Sequence, residues 1–326
     1  MKGSNINTRE VDFEEWSNLW IKSPNSNILQ SWFYGQSKSE SDGFEVMNLC
    51  VSEFGEDLAL VMILKKKISF LGTIIRINRG PIFLSEGIDM DRKCEVIESV
   101  ISQLKKDSLL IQMAPEIEES IELETKLKTL GFKRLPNTPW SSGKIDLSLS
   151  EEDLLMSLNG KWRNCYRKGL KMGVQISNVS DNESELKNLL QHYKNLQTKK
   201  DFSGLTDNLI GSLAKKEDPL WKFNIFKAQD NNGTLLGYVV TVDHGNTSIY
   251  LIGITTNEGR QLQANYVMLW EGIVNAKKSG SLQFDIGGLT SDTPKGVAHF
   301  KKGLKSNSYS LIGEWRRFYF RNILRF

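Results

Sequence analysis

The sequence predicts a mixed α/β protein made of two lobes that share one order of strands and helices. The chain has 326 residues, which is more than one ordinary hydrophobic core holds and suggests about two domains of roughly 150 residues each. Hydrophobic residues make up 39% and charged residues 25% of the chain, as is usual for a globular protein. The order of elements predicted in the first half recurs in the second.

In the first half, strands come first and helices follow. Continuous apolar runs predict the strands, and apolar residues three and four positions apart predict the helices. Gly131 ends the last of these helices. The predicted elements are strands at 58–65 and 73–78, a helix at 90–106, a strand at 108–113, a helix at 116–130 and a strand that begins at Phe132.

The second half repeats this order. The sequence QDNNGT at 229–234 is a strong hairpin signal between its first two strands. The predicted elements are strands at 221–228, 235–243 and 249–255, a helix at 262–278, a strand at 281–286, a short helix at 295–303 and a strand at 309–315. A meander of antiparallel strands followed by helix, strand, helix and strand is the order of the GNAT acetyltransferase fold. Two tandem GNAT-like lobes predict a cleft between them.

A basic helix is predicted between the two halves. Ser150 and Asp153 resemble a capping box that opens it, and Gly173 closes it. Its cations, with no acid among them, are Lys161, Arg163, Arg167, Lys168 and Lys171. Arg163, Arg167 and Lys171 share one helical face. Because like charges repel, this stretch either binds an anion, such as a nucleotide diphosphate, a lipid pyrophosphate or the tRNA backbone, or is a solvated surface.

Charge, cysteines and apolar runs exclude several classes of protein. A net charge of +3 is too small to imply nucleic-acid binding by itself, so no DNA partner is expected. The three cysteines are widely spaced, which argues against a disulfide framework, and with three histidines no metal site is expected. The longest apolar run, 58–64, is far shorter than the ~20 residues of a membrane helix. Residues 1–16 lack the apolar region of a signal peptide, so a cytoplasmic location is expected.

Three segments carry recognisable motifs. LQSWFYGQSK at 29–38 is similar to Q-x-W-x-x-G-x-x-K, and KWRNCYRKGLKMGVQI at 161–176 is similar to K-x-R-x-x-x-R-K-x-x-x-x-G-V. The third segment runs from NYVMLWEGIVNAKKSGSLQFDIGGL at 265–289 to HFKKGL at 299–304. In this order and spacing, the motifs resemble the FemABX family of aminoacyltransferases. The similarity is greatest to its short members, which lack a long coiled-coil arm.

The resemblance implies an enzyme of cell-wall synthesis. Such an aminoacyltransferase forms a peptide bond between an amino acid from aminoacyl-tRNA and an amine of a peptidoglycan precursor, either UDP-MurNAc-pentapeptide or lipid II. No cofactor is implied, and a monomer is expected, with peripheral membrane contact where the acceptor is lipid-linked. In the family the C-terminal strand returns to the first lobe, which assigns residues 1–147 and 313–326 to lobe 1 and 148–312 to lobe 2.

Peptide-bond formation from an activated ester needs a positioned amine, a proton acceptor and stabilisation of the oxyanion. Phe300 and Lys301 in HFKKGL match an F-K pair of the family. By resemblance, Lys301 holds an anionic group or stabilises the tetrahedral intermediate, and Phe300 is a candidate for substrate binding. Asp285 lies at a strand end beside two glycines. It could orient or deprotonate the incoming amine, or it could cap the following turn. Lys301 and Asp285 are therefore the catalytic candidates.

The remaining candidates bind substrate. By resemblance, Lys38 binds phosphate or carboxylate of the precursor, and Tyr266 lies near the acceptor. Lys200 belongs to KKDFSGL at 199–205, which replaces an Arg-Asp-Gly-Phe-like segment that helps hold the acceptor in relatives. The candidates on the basic helix are Arg163, Arg167 and Lys171.

Two other functions stay open. One is acyl-CoA-dependent N-acyl transfer onto an amino sugar or exopolysaccharide precursor, and the other is a binding protein that kept the fold without the chemistry. Users of acetyl-CoA hold its pyrophosphate on backbone amides of an (R/Q)-x-x-G-x-(G/A) turn at a helix N-terminus. The corresponding stretch is RQLQAN at 260–265, in which Gln263 replaces the middle glycine. This replacement favours aminoacyl transfer over acyl-CoA chemistry.

Overall fold

The chain divides into two compact units in the computed structural model, which describes residues 6–69, 72–106 and 108–319. Unit 1 comprises Met1–Ser141 and Tyr309–Phe326, and unit 2 comprises Ser142–Ser308. The lobe limits predicted from the sequence, after residues 147 and 312, lie a few residues C-terminal of these two junctions and stay a prediction.

The described elements follow in chain order. The strands are β1 (Ile6–Glu10), β2 (Glu45–Glu53), β3 (Glu56–Ile68), β4 (Gly72–Asn78), β5 (Ile82–Phe83), β6 (Ser108–Ala114), β7 (Lys133–Arg134), β8 (Ser141–Asp146), β9 (Gln175–Asn178), β10 (Trp221–Gln229), β11 (Leu235–His244), β12 (Thr247–Thr255), β13 (Gln283–Asp285), β14 (Asn307–Ser310) and β15 (Trp315–Phe318). The helices are α1 (Phe13–Trp20), α2 (Trp32–Asp42), α3 (Met90–Leu104), α4 (Ile121–Thr129), α5 (Glu151–Ser157), α6 (Gly160–Lys171), α7 (Glu183–Lys200), α8 (Asp207–Ala214), α9 (Asn257–Gln261), α10 (Ala264–Lys278) and α11 (Lys295–Lys302). Within the described ranges, no helix combines the length and the apolar character needed to cross a membrane.

Unit 1 is built on a sheet with the strand order β1-β2-β3-β4-β6-β15-β7, and β5 pairs with β3. Strands β2, β3 and β4 form an antiparallel meander, whereas β4 and β6 are parallel. A parallel pair needs a crossover connection, and α3 supplies it. Helix α3 buries the apolar residues that predicted it, among them Val96, Ile97 and Val100, in the core of this unit.

Unit 2 repeats this plan. Its sheet has the strand order β14-β8-β13-β12-β11-β10-β9. Strands β10, β11 and β12 form the antiparallel meander. Strands β12 and β13 pair in parallel, and α10 lies in the crossover connection between them. The two sheets confirm the predicted mixed α/β class and the repeated order of elements.

The predicted basic helix at 150–173 is two helices, so this prediction is wrong in one respect. Leu158, with ψ of 162°, leaves the helical conformation after α5. The chain starts again at Asn159, whose side chain accepts a hydrogen bond from the backbone of Lys161 at 2.9 Å and caps α6. The predicted start at Ser150 is confirmed, because its hydroxyl accepts from the backbone of Asp153 at 3.1 Å.

Two further predicted elements also differ from the structure. The strand predicted at 309–315 is two strands, β14 and β15, with Gly313 at φ +92° between them. The helix predicted from residue 116 begins at Ile121, because the hydroxyl of Ser120 caps it by accepting from the backbone of Leu123. Turn and cap geometry therefore set these boundaries, although the apolar pattern suggested longer elements.

The first motif, at 29–38, joins α2 to the sheet of unit 1. Gln30 is fully buried, and its side-chain amide donates to the carbonyls of Met62 at 3.1 Å and Asn78 at 2.8 Å. Its amide oxygen accepts from the backbone of Met62 at 2.7 Å. A Cβ atom at Gly35 would lie 3.1 Å from Val46, so glycine permits the close approach of α2 to β2. Two of the motif's defining residues therefore serve packing.

Candidate active site

The loop after β13 is the first part of the candidate site. Gly287 has φ of +71°, and a Cβ atom there would lie 2.5 Å from the backbone oxygen of Tyr250, so the turn needs glycine. Asp285 is 3% exposed. Its Oδ1 atom accepts from the backbone of Gly287 at 2.8 Å and from the hydroxyl of Ser142. These bonds are those of the turn cap, one of the two roles that the sequence left open for Asp285.

Lys301 lies on α11 and faces this loop. Its side chain is buried, at 7% exposure, and its Nζ atom donates to the carbonyl of Gly288 at 2.9 Å. Nζ also lies 5.2 Å from the centre of the Tyr250 ring, a favourable position for a cation. Burial lowers the pKa of Lys301 to about 8, although the charge of Asp285 acts in the opposite direction. The next residue, Lys302, is exposed.

Phe300 and Tyr266 belong to an aromatic cluster that joins α6, α10 and α11. The ring centres of Phe300 and Tyr266 are 4.9 Å apart, and both rings pack on Trp162, at 6.1 Å and 5.2 Å. Burial above all raises the pKa of Tyr266 to about 12, with smaller contributions from the neighbouring Cys165. The aromatic ring beside the Lys301 ammonium is that of Tyr250, whereas Phe300 packs in the core of unit 2.

Helix α6 carries the basic residues, but they are not equivalent. The guanidinium of Arg163 donates to the carbonyls of Met156 and, at 2.9 Å, Leu158. It therefore satisfies the open C-terminal end of α5. The other four cations are exposed, and among the described residues they form no ion pair; they are Lys161, Arg167, Lys168 and Lys171. Arg167 and Lys171 thus remain available to an anion, while Arg163 has a structural partner.

Lys200 is the exposed last residue of α7. Beside it, the end of α7 and the connection to α8 enclose an open surface cavity of about 600 Å³. The connection is fixed by Tyr193, whose hydroxyl accepts from the backbone of Leu205 at 3.3 Å. The cavity is lined by Lys194, Gln197, Thr198, Asp201, Phe202, Ser203, Gly204, Leu205, Thr206, Asp207 and Asn208. It occupies the segment in which the sequence departs from the family pattern.

Lys38 lies in unit 1, in the C-terminal half of α2, one turn before its last residue, Asp42. It forms an ion pair with Asp42, and its Nζ atom is 5.3 Å from the centre of the Phe44 ring. Lys66 approaches the same ring at 5.2 Å and donates to the backbone oxygen of Asp42. The two ammonium groups therefore share one aromatic ring, and the Asp42 carboxylate is the counter-ion of Lys38. An incoming anion would have to compete with Asp42.

In unit 2 the structure brings Lys301 and Asp285 to one loop, and Tyr266 and Phe300 to one aromatic cluster. Sequence reasoning missed Ser142 and Tyr250, which complete the surroundings of Asp285 and Lys301. No motif marks either residue, because both reach the loop only through the folded sheet. In the described ranges, no group of three or more His, Cys, Asp or Glu side chains is placed to hold a metal ion.

Comparisons with known proteins show related sequences and related folds. Residues 177–319 match the model of the FemAB family. The lipid II:glycine glycyltransferase of Staphylococcus haemolyticus is 22% identical, over 92% of this chain and 87% of the relative. The crystal structure of FemX superimposes with a TM-score of 0.78 at 18% identity, covering 97% of this chain and 98% of that one. A tandem GNAT protein from the clavulanic acid biosynthesis pathway has a TM-score of 0.52 at 9% identity, covering 96% and 98%. Over most of its length the chain is thus similar to FemABX proteins, and it has the GNAT-like fold.

Proposed function

We propose that the protein is an aminoacyltransferase that forms a peptide bond between an amino acid and an amine of a peptidoglycan precursor. The single observation that carries this proposal is the buried Lys301 ammonium, held by the Gly288 carbonyl and the Tyr250 ring. The match to the FemAB family and the similarity to a glycyltransferase that acts on lipid II support the same reaction class.

The reaction is aminolysis of an ester. The acceptor amine attacks the ester carbonyl, a C–N bond forms, and the C–O bond to the tRNA breaks. The amine loses one proton and the departing hydroxyl gains one, so no cofactor is needed. Negative charge develops on the carbonyl oxygen, and a fixed cation stabilises it more than it stabilises the ground state. Lys301 supplies that cation, because one of its three N–H groups binds Gly288 and no other described residue accepts a hydrogen bond from the remaining two.

The donor is aminoacyl-tRNA in this proposal, and α6 binds its backbone. Arg167 and Lys171 are exposed and without ion-pair partners among the described residues, as expected of a phosphate-binding surface. The acyl-CoA alternative needs close backbone approach at the start of α10. There Gln263 stands in the left-handed conformation at φ +61°, and its side chain folds onto the carbonyl of Arg260 at 3.1 Å.

The acceptor is a UDP-linked or lipid-linked peptidoglycan precursor. Lys38 binds its phosphate or carboxylate, and Lys200 and Tyr266 contribute to acceptor binding. The open cavity beside Lys200 has polar and apolar walls, which suits a peptide attached to a sugar. In this proposal the enzyme works in the cytoplasm as a monomer, with peripheral membrane contact when the acceptor is lipid-linked.

A transfer assay tests this function against its alternatives. The purified protein is incubated with a UDP-linked muropeptide or lipid II, and with either bulk tRNA charged with labelled amino acids or labelled acetyl-CoA. We expect label in the precursor from charged tRNA, and none after ribonuclease treatment of the donor. Label from acetyl-CoA alone would establish the acyl-CoA alternative. Precursor binding without transfer from either donor would identify a binding protein.

A further inference from the structure

Ser142 lies at the start of β8 and is 1% exposed. Strand β8 pairs with β13, with Lys144 opposite Asp285, so Ser142 lies beside the loop that follows β13. Its Oγ atom is 2.8 Å from the carbonyl oxygen of Gly287 and within hydrogen-bond distance of Asp285 Oδ1. Since a hydroxyl has one proton, Ser142 donates to one of these acceptors at a time.

Both backbone groups of Gly287 are therefore held. Its N–H donates to Asp285 Oδ1 at 2.8 Å, and its carbonyl lies against Ser142. On the side where a Cβ atom would project from Gly287, the backbone oxygen of Tyr250 leaves no room. Ser142, Asp285 and Tyr250 thus fix the turn from three directions.

The next carbonyl along the chain, that of Gly288, accepts from Lys301 Nζ at 2.9 Å. A lysine side chain has four rotatable bonds, so the position of its ammonium depends on its contacts at the far end. The contacts are the Gly288 carbonyl and the Tyr250 ring. Movement of the turn would remove the first and leave the ammonium free to rotate.

We propose that Ser142 is a positioning residue: with Asp285 it holds Gly287, and thereby sets the place of the Lys301 ammonium. The effect of Ser142 on the reaction rate rests on the proposed function, whereas the placement of the ammonium does not. Asp285 acts in this scheme through the loop that it caps.

Two measurements on Ser142→Ala test the proposal. The first is trace labelling of the folded protein with acetic anhydride, with the acetylation of Lys301 and Lys302 compared by peptide mass spectrometry. Lys302 is exposed and serves as the internal standard. We expect the Lys301-to-Lys302 ratio to rise about threefold or more, because loss of a hydrogen bond changes such a local equilibrium by up to about tenfold. The second measurement is transfer, in which kcat falls about tenfold while KM stays within about twofold.

Ser141→Ala is the matched control, since the hydroxyl of Ser141 bonds to that of Ser310 at 2.9 Å. It should leave both measurements unchanged. If Ser142→Ala does not fold, Ser142→Cys carries the same comparison, because a thiol fills the space but is a weak donor. Lower thermal stability with an unchanged labelling ratio and unchanged kcat would overturn the proposal. If the wild-type protein transfers no amino acid, the proposed function fails, and the labelling ratio alone decides the role of Ser142.

Discussion

Lys301 and Lys302 are neighbours in one helical turn, and their side chains meet different surroundings. Lys301 is buried with its ammonium on a carbonyl and over an aromatic ring, whereas Lys302 is exposed. Charge stabilisation is far stronger where water is excluded and the cation is already in place. The burial of Lys301 therefore supports a catalytic role, which the sequence suggested only by resemblance.

We expect Lys301→Met to lower kcat by about 10² to 10³, the usual cost of removing one fixed group that stabilises an oxyanion. Methionine keeps much of the apolar stem and removes the charge. Lys302→Met is the control and should be nearly silent. Equal effects of the two variants, or a change in KM alone, would contradict an electrostatic role.

The same role predicts a pH dependence of kcat in the wild-type enzyme. The pKa of Lys301 is about 8, so the protonated fraction of Lys301 falls as pH rises through that value. The kcat of the wild-type enzyme should fall with this fraction.

The residues around Lys301 show what a sequence can predict at this scale. A carboxylate followed by two glycines at a strand end indicated a tight turn, and the left-handed conformation of Gly287 bears this out. Ser142 gave no signal, because its hydrogen bond to Asp285 joins residues 143 positions apart. Such a contact depends on which strands pair, and a single sequence does not specify that pairing.

At the scale of elements, α6 illustrates how a helix boundary changes the use of a side chain. The helical pattern correctly placed the cations on a helix, but it did not reveal the break at Leu158. The break exposes carbonyls at the end of α5, and Arg163 turns to them. Only Arg167 and Lys171 of the predicted face keep an exposed charge.

We expect the double variant Arg167→Ala, Lys171→Ala to bind charged tRNA more weakly and with a smaller salt dependence. Each lost phosphate contact should reduce the slope of log K against log salt by about 0.7 to 0.9. Binding is measured by fluorescence anisotropy over a range of salt concentrations. Lys187→Ala, Lys215→Ala removes the same charge from exposed positions elsewhere in unit 2 and should change the slope little. Equal losses of affinity and slope in both double variants would assign the effect to net charge. Arg163 is left unchanged because it binds the carbonyls at the end of α5.

For the whole molecule, the order of strands in space differs from their order in the chain. The meanders and crossover helices could be predicted because they follow one another in sequence, and both halves carry the same pattern. In unit 1, β6 lies between β4 and β15, and β15 comes about 200 residues later in the chain. The resemblance implied this return, whereas hydrophobic periodicity gave no sign of it. The elements before residue 56, including β1 and β2, were not predicted.

Because β15 lies between β6 and β7, unit 1 is complete only when the end of the chain has returned to it. Trp315 anchors β15 in this sheet. Its side chain is fully buried, and it pairs with Met113 of β6 on one side and Arg134 of β7 on the other. Trp315→Ala should destabilise unit 1 by about 3 to 5 kcal/mol, because it leaves a large cavity in the core. Since a chain of two units need not unfold in one step, the effect is measured by hydrogen exchange of β6 in unit 1 and β11 in unit 2. We expect faster exchange in β6 and little change in β11. Phe318→Ala, at a position 43% exposed on the same strand, is the control. In this variant the amides of β6 should exchange almost as slowly as in the wild type. Equal acceleration of exchange in β6 and β11 would mean that the two units unfold together and that Trp315 does not stabilise unit 1 alone.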